Sequence, residues 1–319
     1  MLKLVRSVFL LLTLSVALDC GAEPPITSVV FAPDGSSLVA CSQSGIAVYR
    51  WPDLDLQTSF KASSPNLHDL AFSPGGDRLA VAGGAPAEDG TVEILSWPDG
   101  KSLRILDGHF DSVMAVDWLD ETTLVSASLD HQVLIWDTSK GEKSVTLNGH
   151  SRGVWTIGHL HDTRLLVSAG GDQSLRVWET ETGTLVRSMA IHLQGVGSVA
   201  VRPPRDGLPM IASASDDRTV RFWQPTIGRM VRFARLPSQP RQIQWLPDGS
   251  RIAACCNDGR VYLVNPETVE VSDGIAAIQG RAYTIAVDPS GGNAVVGGSD
   301  GALQRIALQR IALQRIALP

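Results

Sequence analysis

The chain has 319 residues, 44% of them hydrophobic and 19% charged, with a formal net charge of −6. That mild acidity argues against a nucleic-acid binder, which carries a basic face or stripe. The 30 glycines and 18 prolines fall at turn-like intervals, unlike those of a disordered or collagen-like chain, and the length suits two ordinary domains or one all-β barrel or propeller.

Residues 1–22 read as an export signal. Lys3 and Arg6 form a positive start, Val8–Leu18 is an 11-residue apolar run, and small residues follow. A transmembrane helix needs roughly 18 or more apolar residues, so no permanent span is expected. Cleavage after Ala17 or after Ala22 suits a peptidase that selects small side chains. Cys20 invites a lipoprotein reading, but Asp19 stands before it, where a small residue is expected. The expected location is the periplasm or cell envelope, with the cytoplasm as the alternative. Removal of residues 1–22 leaves 25 basic and 32 acidic side chains and a net charge of −7. It also leaves Cys41, Cys255 and Cys256, an odd set inside apolar runs (LVACS, IAACC), best read as small buried hydrophobes.

From residue 26 onward the chain repeats itself. QSGIAVY, DGTVEIL, DHQVLIW, DQSLRVW, DRTVRFW, DGRVYLV and DGALQRI share one register, ending at Tyr49, Leu95, Trp136, Trp178, Trp223, Val264 and Ile306. Six residues before each end stands Gln43, Asp89, Asp130, Asp172, Asp217, Asp258 or Asp300. A second landmark, as in FAPDGSSLVA, FSPGGDRLAVA, WLPDGSRIAA and VDPSGGNAVV, places Pro and Gly between two apolar runs. That is hairpin punctuation. Each unit therefore holds four short strands with no useful helix between them, and seven units spaced about 40–45 residues apart predict an all-β, seven-bladed propeller over residues 23–319.

Three units carry more specific marks. Gly108-His109 precedes Trp136-Asp137, Gly149-His150 precedes Trp178-Glu179, and Ile191-His192 precedes Trp223-Gln224. A valine follows each His by four residues: Val113, Val154 and Val196. Here the chain resembles the WD-repeat family, over about residues 26–308 and most strongly in the third to fifth units. The resemblance implies a hydrogen-bonded tetrad within each of these blades: His109, Ser126, Asp130 and Trp136; His150, Ser168, Asp172 and Trp178; His192, Ser213, Asp217 and Trp223. A buried indole N–H and a buried carboxylate each need a partner, so such a chain is physically sound.

Many family members complete the last blade with an N-terminal strand. Here the first innermost strand, ITSVVF, starts just after the signal and leaves little chain for that. The tail from Ala302 reads ALQRI three times, then ALP. Its first copy is expected as the third strand of blade seven. The remainder, from about residue 308, is either that blade's outer strand or a frayed or helical tail.

Several patterns imitate active sites. His, Ser and Asp suggest a catalytic triad, but they recur three times at equivalent positions, as a structural device would. Gly297-Gly298-Ser299-Asp300-Gly301 matches the G-x-S-x-G elbow, yet it joins two strands and no histidine follows Ser299. His159-Leu160-His161-Asp162 is turn-like polar sequence and carries no expected metal. No cofactor motif is present.

The expected function is a non-enzymatic scaffold that presents the top face of the propeller to a protein partner. Candidate contacts are Phe110, Leu129, His131, Arg152, Trp155, Leu193, Asp216 and Arg218. The alternatives are a propeller enzyme of lactonase or quinoprotein type, or one module of a larger catalytic assembly. The partner and the oligomeric state are left open by the sequence.

Overall fold

The computed structural model describes residues 23–160, 162–310 and 313–314. The export signal expected at residues 1–22, with its cleavage sites and Cys20, lies outside the described residues. From residue 28 the chain forms seven antiparallel sheets, spanning residues 28–60, 67–109, 113–147, 154–189, 196–235, 240–276 and 282–307. Within each, the strands run from innermost to outermost in chain order, so every blade begins at the central channel and ends at the rim.

Burial follows position in the blade. The second strands read SLVACS, RLAVAGGA, TLVSAS, LLVSAG, IASAS, IAACC and NAVVGG, and nearly every residue in them is buried. A strand covered on both faces by neighbouring blades loses the polar alternation of a half-exposed strand. Ala, Gly, Ser and Cys let the sheets approach closely. The outer strands face solvent and turn polar, as in Asp55–Phe60. The core is accordingly a ring of interfaces between blades. One cluster joins Phe222 of blade five to Trp245, Tyr262 and Val264 of blade six, and another joins Ile26, Val29 and Leu38 to Ala286 and Val295 across the seam. Cys41, Cys255 and Cys256 are free and buried inside it, and burial pushes the Cys41 and Cys255 thiols up to about 12.

Blades six and seven depart from the regular pattern. The first ALQRI copy supplies Leu303–Ala307, the third and last described strand of blade seven. Beyond it Leu308–Arg310 makes a 3-10 turn, and Leu313–Gln314 pairs with Val271–Ser272 of blade six. The described part of the tail thus extends the neighbouring blade, and among the described residues blade seven has three strands. A reason is visible in blade six: its outer edge is split into Val271–Ser272 and Ile275–Ala276, with Arg260 reaching the Gly274 carbonyl between them. The short Val271–Ser272 segment therefore leaves an edge that another strand can extend.

The ring closes by packing and single hydrogen bonds. The Ile26 N–H donates to Gly298 O at 3.0 Å, and the Val29 N–H donates to Thr284 Oγ1 at 3.0 Å. Arg305 of blade seven lies over the Trp51 ring of blade one, 5.2 Å from its centre.

Candidate functional site

The three tetrads form as continuous chains. In the first, the Trp136 indole N–H donates to Ser126 Oγ at 2.8 Å, Ser126 Oγ lies 2.8 Å from His109 Nε2, and His109 Nδ1 lies 2.8 Å from Asp130 Oδ2. The second repeats this with Trp178–Ser168 at 2.8 Å, Ser168–His150 at 2.7 Å and His150–Asp172 at 2.9 Å. The third does so with Trp223–Ser213 at 2.8 Å, Ser213–His192 at 2.8 Å and His192–Asp217 at 2.9 Å. Carboxylates only accept, so each His Nδ1 is the donor and each His Nε2 accepts from the serine hydroxyl.

These chains do not lie within single blades, as the resemblance implied. His109 ends the outer strand of blade two, whereas Ser126, Asp130 and Trp136 belong to blade three. His150 and His192 likewise follow the outer strands of blades three and four. The repeat read along the chain is offset by one strand from the blade, so each tetrad pins one blade to the next. The carboxylate also organises the loop above it: Asp130 Oδ2 accepts from the Phe110 N–H, Asp172 Oδ2 from Ser151 and Asp217 Oδ2 from Leu193. Against the opposing effect of burial, the hydrogen bond from the histidine, with the local backbone donors of Gln132 and Phe110, holds Asp130 below the usual carboxylate range.

The tetrads thereby fix the top face. Phe110 and Leu193, 74% and 73% exposed, project from the loops that Asp130 and Asp217 hold. Arg152 is exposed on the loop between them. His131 and Arg218 occupy the turn position after the tetrad Asp with φ of 73° and 66°, the left-handed region that blades six and seven fill with Gly259 and Gly301. Leu129 is half-buried and packs toward Gly153. Trp155 and Asp216 stand where these loops meet the central channel: both line its cavity, the Trp155 ring packs beside Gly171 and Gly195 of the loops, and the Asp216 N–H donates to Gly195 O. Trp155 points inward because it is the bulged residue between Val154 and Thr156.

The channel holds a cavity of about 460 Å³ walled by the innermost strands of all seven blades. Beneath its surface runs a polar belt that the sequence reading missed. Its members are Ser28, Asp69, Thr156, Ser198, Gln242 and Thr284, with Ala115 at the seventh position. Asp69 Oδ2 accepts from the Val116 N–H at 3.1 Å, Thr156 Oγ1 from Val199 at 3.0 Å, Ser198 Oγ from Ile243 at 3.2 Å and Gln242 Oε1 from Ile285 at 2.7 Å. Ser28 Oγ donates to Asp69 Oδ1 at 3.0 Å. A polar residue at the same position of the inner strand in six of the seven units, with Ala115 the exception, was the available signal. Lower down, the Trp118 and Trp245 indoles donate to Ala71 O and Ala200 O of the preceding blade, both at 3.1 Å.

The patterns that imitate catalysis find ordinary roles. Ser299 Oγ accepts from the Arg281 N–H at 2.9 Å, and His159 Nε2 contacts Thr163 O; His161 lies outside the described residues. Among the described residues no three His, Cys, Asp or Glu side chains converge as a metal site requires, and no helix is long and apolar enough to cross a membrane.

Comparison with known proteins agrees with this geometry. The chain is 32% identical over 124 residues to the Cell division cycle protein cdt2 of Schizosaccharomyces pombe, covering 36% of this chain and 25% of that one. It is 31% identical over 117 residues to the Nuclear distribution protein nudF of Aspergillus niger, covering 35% and 26%. It is 32% identical over 130 residues to a WD repeat-containing protein of Synechocystis, covering 40% and 36%. The matched stretches therefore span about a quarter to a third of these relatives. The model of the WD domain, G-beta repeat, matches residues 15–49, 100–137, 141–179, 183–224 and 237–265. Three of these segments carry one tetrad each, from the His at a blade's outer edge to the Trp of the next blade, and together the five cover more than half of the sequence. The chain belongs to the WD40 repeat family.

Proposed function

We propose that this protein is a non-enzymatic scaffold that binds a protein partner on its top face, at the arc running from blade two to blade five. The observation that carries this reading is the pairing of Phe110 and Leu193, two large apolar side chains about three-quarters exposed, with Arg152 and Arg218, for which no ion pair is formed among the described residues. Exposed aromatic and arginine side chains on loops held by a rigid frame are the composition of a binding hot spot. Two arginines on an otherwise acidic chain favour a partner segment that carries carboxylates. The relatives whose names speak of cell division and nuclear distribution fit an interaction role in general terms.

We propose further that the chain is exported to the periplasm or cell envelope, on the basis of the charged start and apolar run at residues 1–22. Sequencing of the mature protein from its host should find Leu18 or Glu23 at the N-terminus; Met1 on cytoplasmic protein would overturn that location. The docking reading is tested by titrating the captured partner against Arg152→Ala and Arg218→Gly. Binding weakened about tenfold, about 1.4 kcal/mol, with melting unchanged supports it; unaltered affinity in both variants removes it.

A further inference from the structure

Among the described residues, the outer strand of blade two, Ser102–His109, pairs on one side only, with Asp89–Ser96. Its other edge differs from the rest of the rim. Leu103 and Ile105, two residues apart, are 55% and 49% exposed. The outer strands of blades one, three, four and five each expose at most one large apolar side chain. A long edge that carries apolar residues is a template for another strand, which natural sheets normally blunt with charge. The one charge between Leu103 and Ile105 is turned away: the Arg104 guanidinium donates to Lys140 O at 3.0 Å and Ser139 O at 3.3 Å, in the turn of blade three. The exposed charges stand at the two ends, Lys101 and Asp107. Lys101 meets Asp99 loosely, at 3.5 Å with both side chains largely exposed. Asp107 forms no ion pair among the described residues.

We propose that a second copy of this chain covers that edge, in a two-fold dimer that joins the outer strands of blade two antiparallel. The stretch Lys101–Asp107, KSLRILD, is complementary to itself. With the axis at Arg104, Lys101 faces Asp107 of the second copy and Leu103 faces its Ile105, and symmetry repeats both contacts. Parallel pairing would instead set lysine against lysine and aspartate against aspartate, so charge selects the antiparallel form. The two Arg104 side chains approach at the axis, but each is held by the turn carbonyls of its own molecule. Leu103 has no Cα partner on Asp89–Ser96, because the outer strand bulges there. A bulge adds twist and shortens the regular ladder, so the dimer belongs with the small, weak class of interfaces. Each outer strand runs toward its own top face. Antiparallel pairing therefore inverts the second propeller, and the two top faces point to opposite sides. The dimer does not rest on the docking reading above, but it would double the docking surface that reading describes.

Sedimentation equilibrium of the full chain over a wide concentration range tests this. The mass should rise toward twice that of one chain as the concentration increases. Ile105→Lys places a charge in the middle of the seam and should leave the protein monomeric, with melting unchanged because the side chain lies at the surface. Lys101→Glu and Asp107→Lys each set like charges together at both ends of the ladder and should weaken association about tenfold. Mixed in equal amounts, these two variants should associate as tightly as the wild type, since each supplies the charge that the other's reversed end requires. The chain carrying both changes should dimerise by itself. A wild type that stays monomeric at every concentration would overturn the dimer and assign the edge to a different strand or to none. A dimer that survives Ile105→Lys, or a mixture that associates no better than its separate components, would overturn it as well. Arg152→Ala and Arg218→Gly alter the top face and leave this edge intact, so the docking reading and the dimer fail separately.

Discussion

Arg221 Nη2 lies 3.4 Å from Asp217 Oδ2, the same oxygen that accepts from His192 Nδ1 at 2.9 Å. The fifth-blade tetrad is therefore a charged pentad, with the guanidinium largely buried and packed toward the Phe233 ring. Arg176 approaches Asp172 in the same way at 3.8 Å, whereas blade three has Leu134 at the matching position. Three devices that look alike in sequence thus differ in electrostatics.

That difference orders the effect of removing each carboxylate. Asp130→Ala leaves His109 and the Phe110 N–H without an acceptor and should cost about 1–3 kcal/mol. Asp172→Ala and Asp217→Ala also strand an arginine and should cost more, about 3–5 kcal/mol for Asp217, whose arginine is the better buried. Urea denaturation of the three variants measures the order. Equal losses would show that the arginines add nothing.

The pentad also sets a pH dependence. Burial, aided by the Arg221 charge and opposed by Asp217, holds His192 below the usual imidazole pKa. A histidine whose folded pKa lies under its unfolded value lends stability above about pH 6.5, lost as the pH falls from there toward the folded pKa. The His192 imidazole resonances should therefore titrate below 6.5 and move upward in Arg221→Met. Titration at or above 6.5 in the wild type would contradict the assignment.

Asp69 works in the opposite direction. A carboxyl raised to about 6 by burial favours folding below its unfolded pKa and withdraws that contribution as the pH rises through 6. Asn can retain both links, accepting from the Val116 N–H and donating to Ser28 Oγ. Asp69→Asn should therefore match the wild type near pH 4 and exceed it at pH 8, by at most about 3 kcal/mol for a shift of roughly two pKa units. Parallel melting curves across that range would show that the carboxylate carries no burial cost.

Much of this architecture could be read from residue types alone, because the turn after the second strand repeats an Asp whose side chain caps its own turn, as Asp130 does for Gln132. The tetrad residues were implied by the resemblance to the WD-repeat family, carried onto that register. Their distribution across two blades was not, since spacing along the chain cannot tell where one sheet ends. The channel belt escaped for a related reason: Asp69, Thr156 and Gln242 differ in type, and only the closed ring sets them side by side. Trp155 was expected on the top face; its ring packs beside Gly171 and Gly195 of the top loops while also lining the channel, and the bulge that turns it that way has no signature in the sequence.

The seam between blades seven and one should show how much a single link matters. Thr284→Val removes the acceptor of the Val29 N–H with little change of shape, leaving a buried donor unpaired at a cost of about 1–3 kcal/mol. Thr156→Val does the same between blades four and five, where the His192 tetrad also holds the junction. Hydrogen exchange should therefore quicken at residues 28–31 in Thr284→Val more than at residues 196–201 in Thr156→Val. The reverse order would mean that the seam is no weaker than the other junctions.

The most direct test of the docking role places a photo-crosslinking phenylalanine analogue at Phe110, at Leu193 and at Leu208 in cells of the native host. Leu208 is an exposed apolar residue, 49% accessible, in the loop between the first two strands of blade five, on the opposite face. The account predicts one common adduct from positions 110 and 193, none from 208, and loss of that adduct when Arg152→Ala and Arg218→Gly are added. An adduct from position 208 alone, or one that persists undiminished in the double variant, would contradict it.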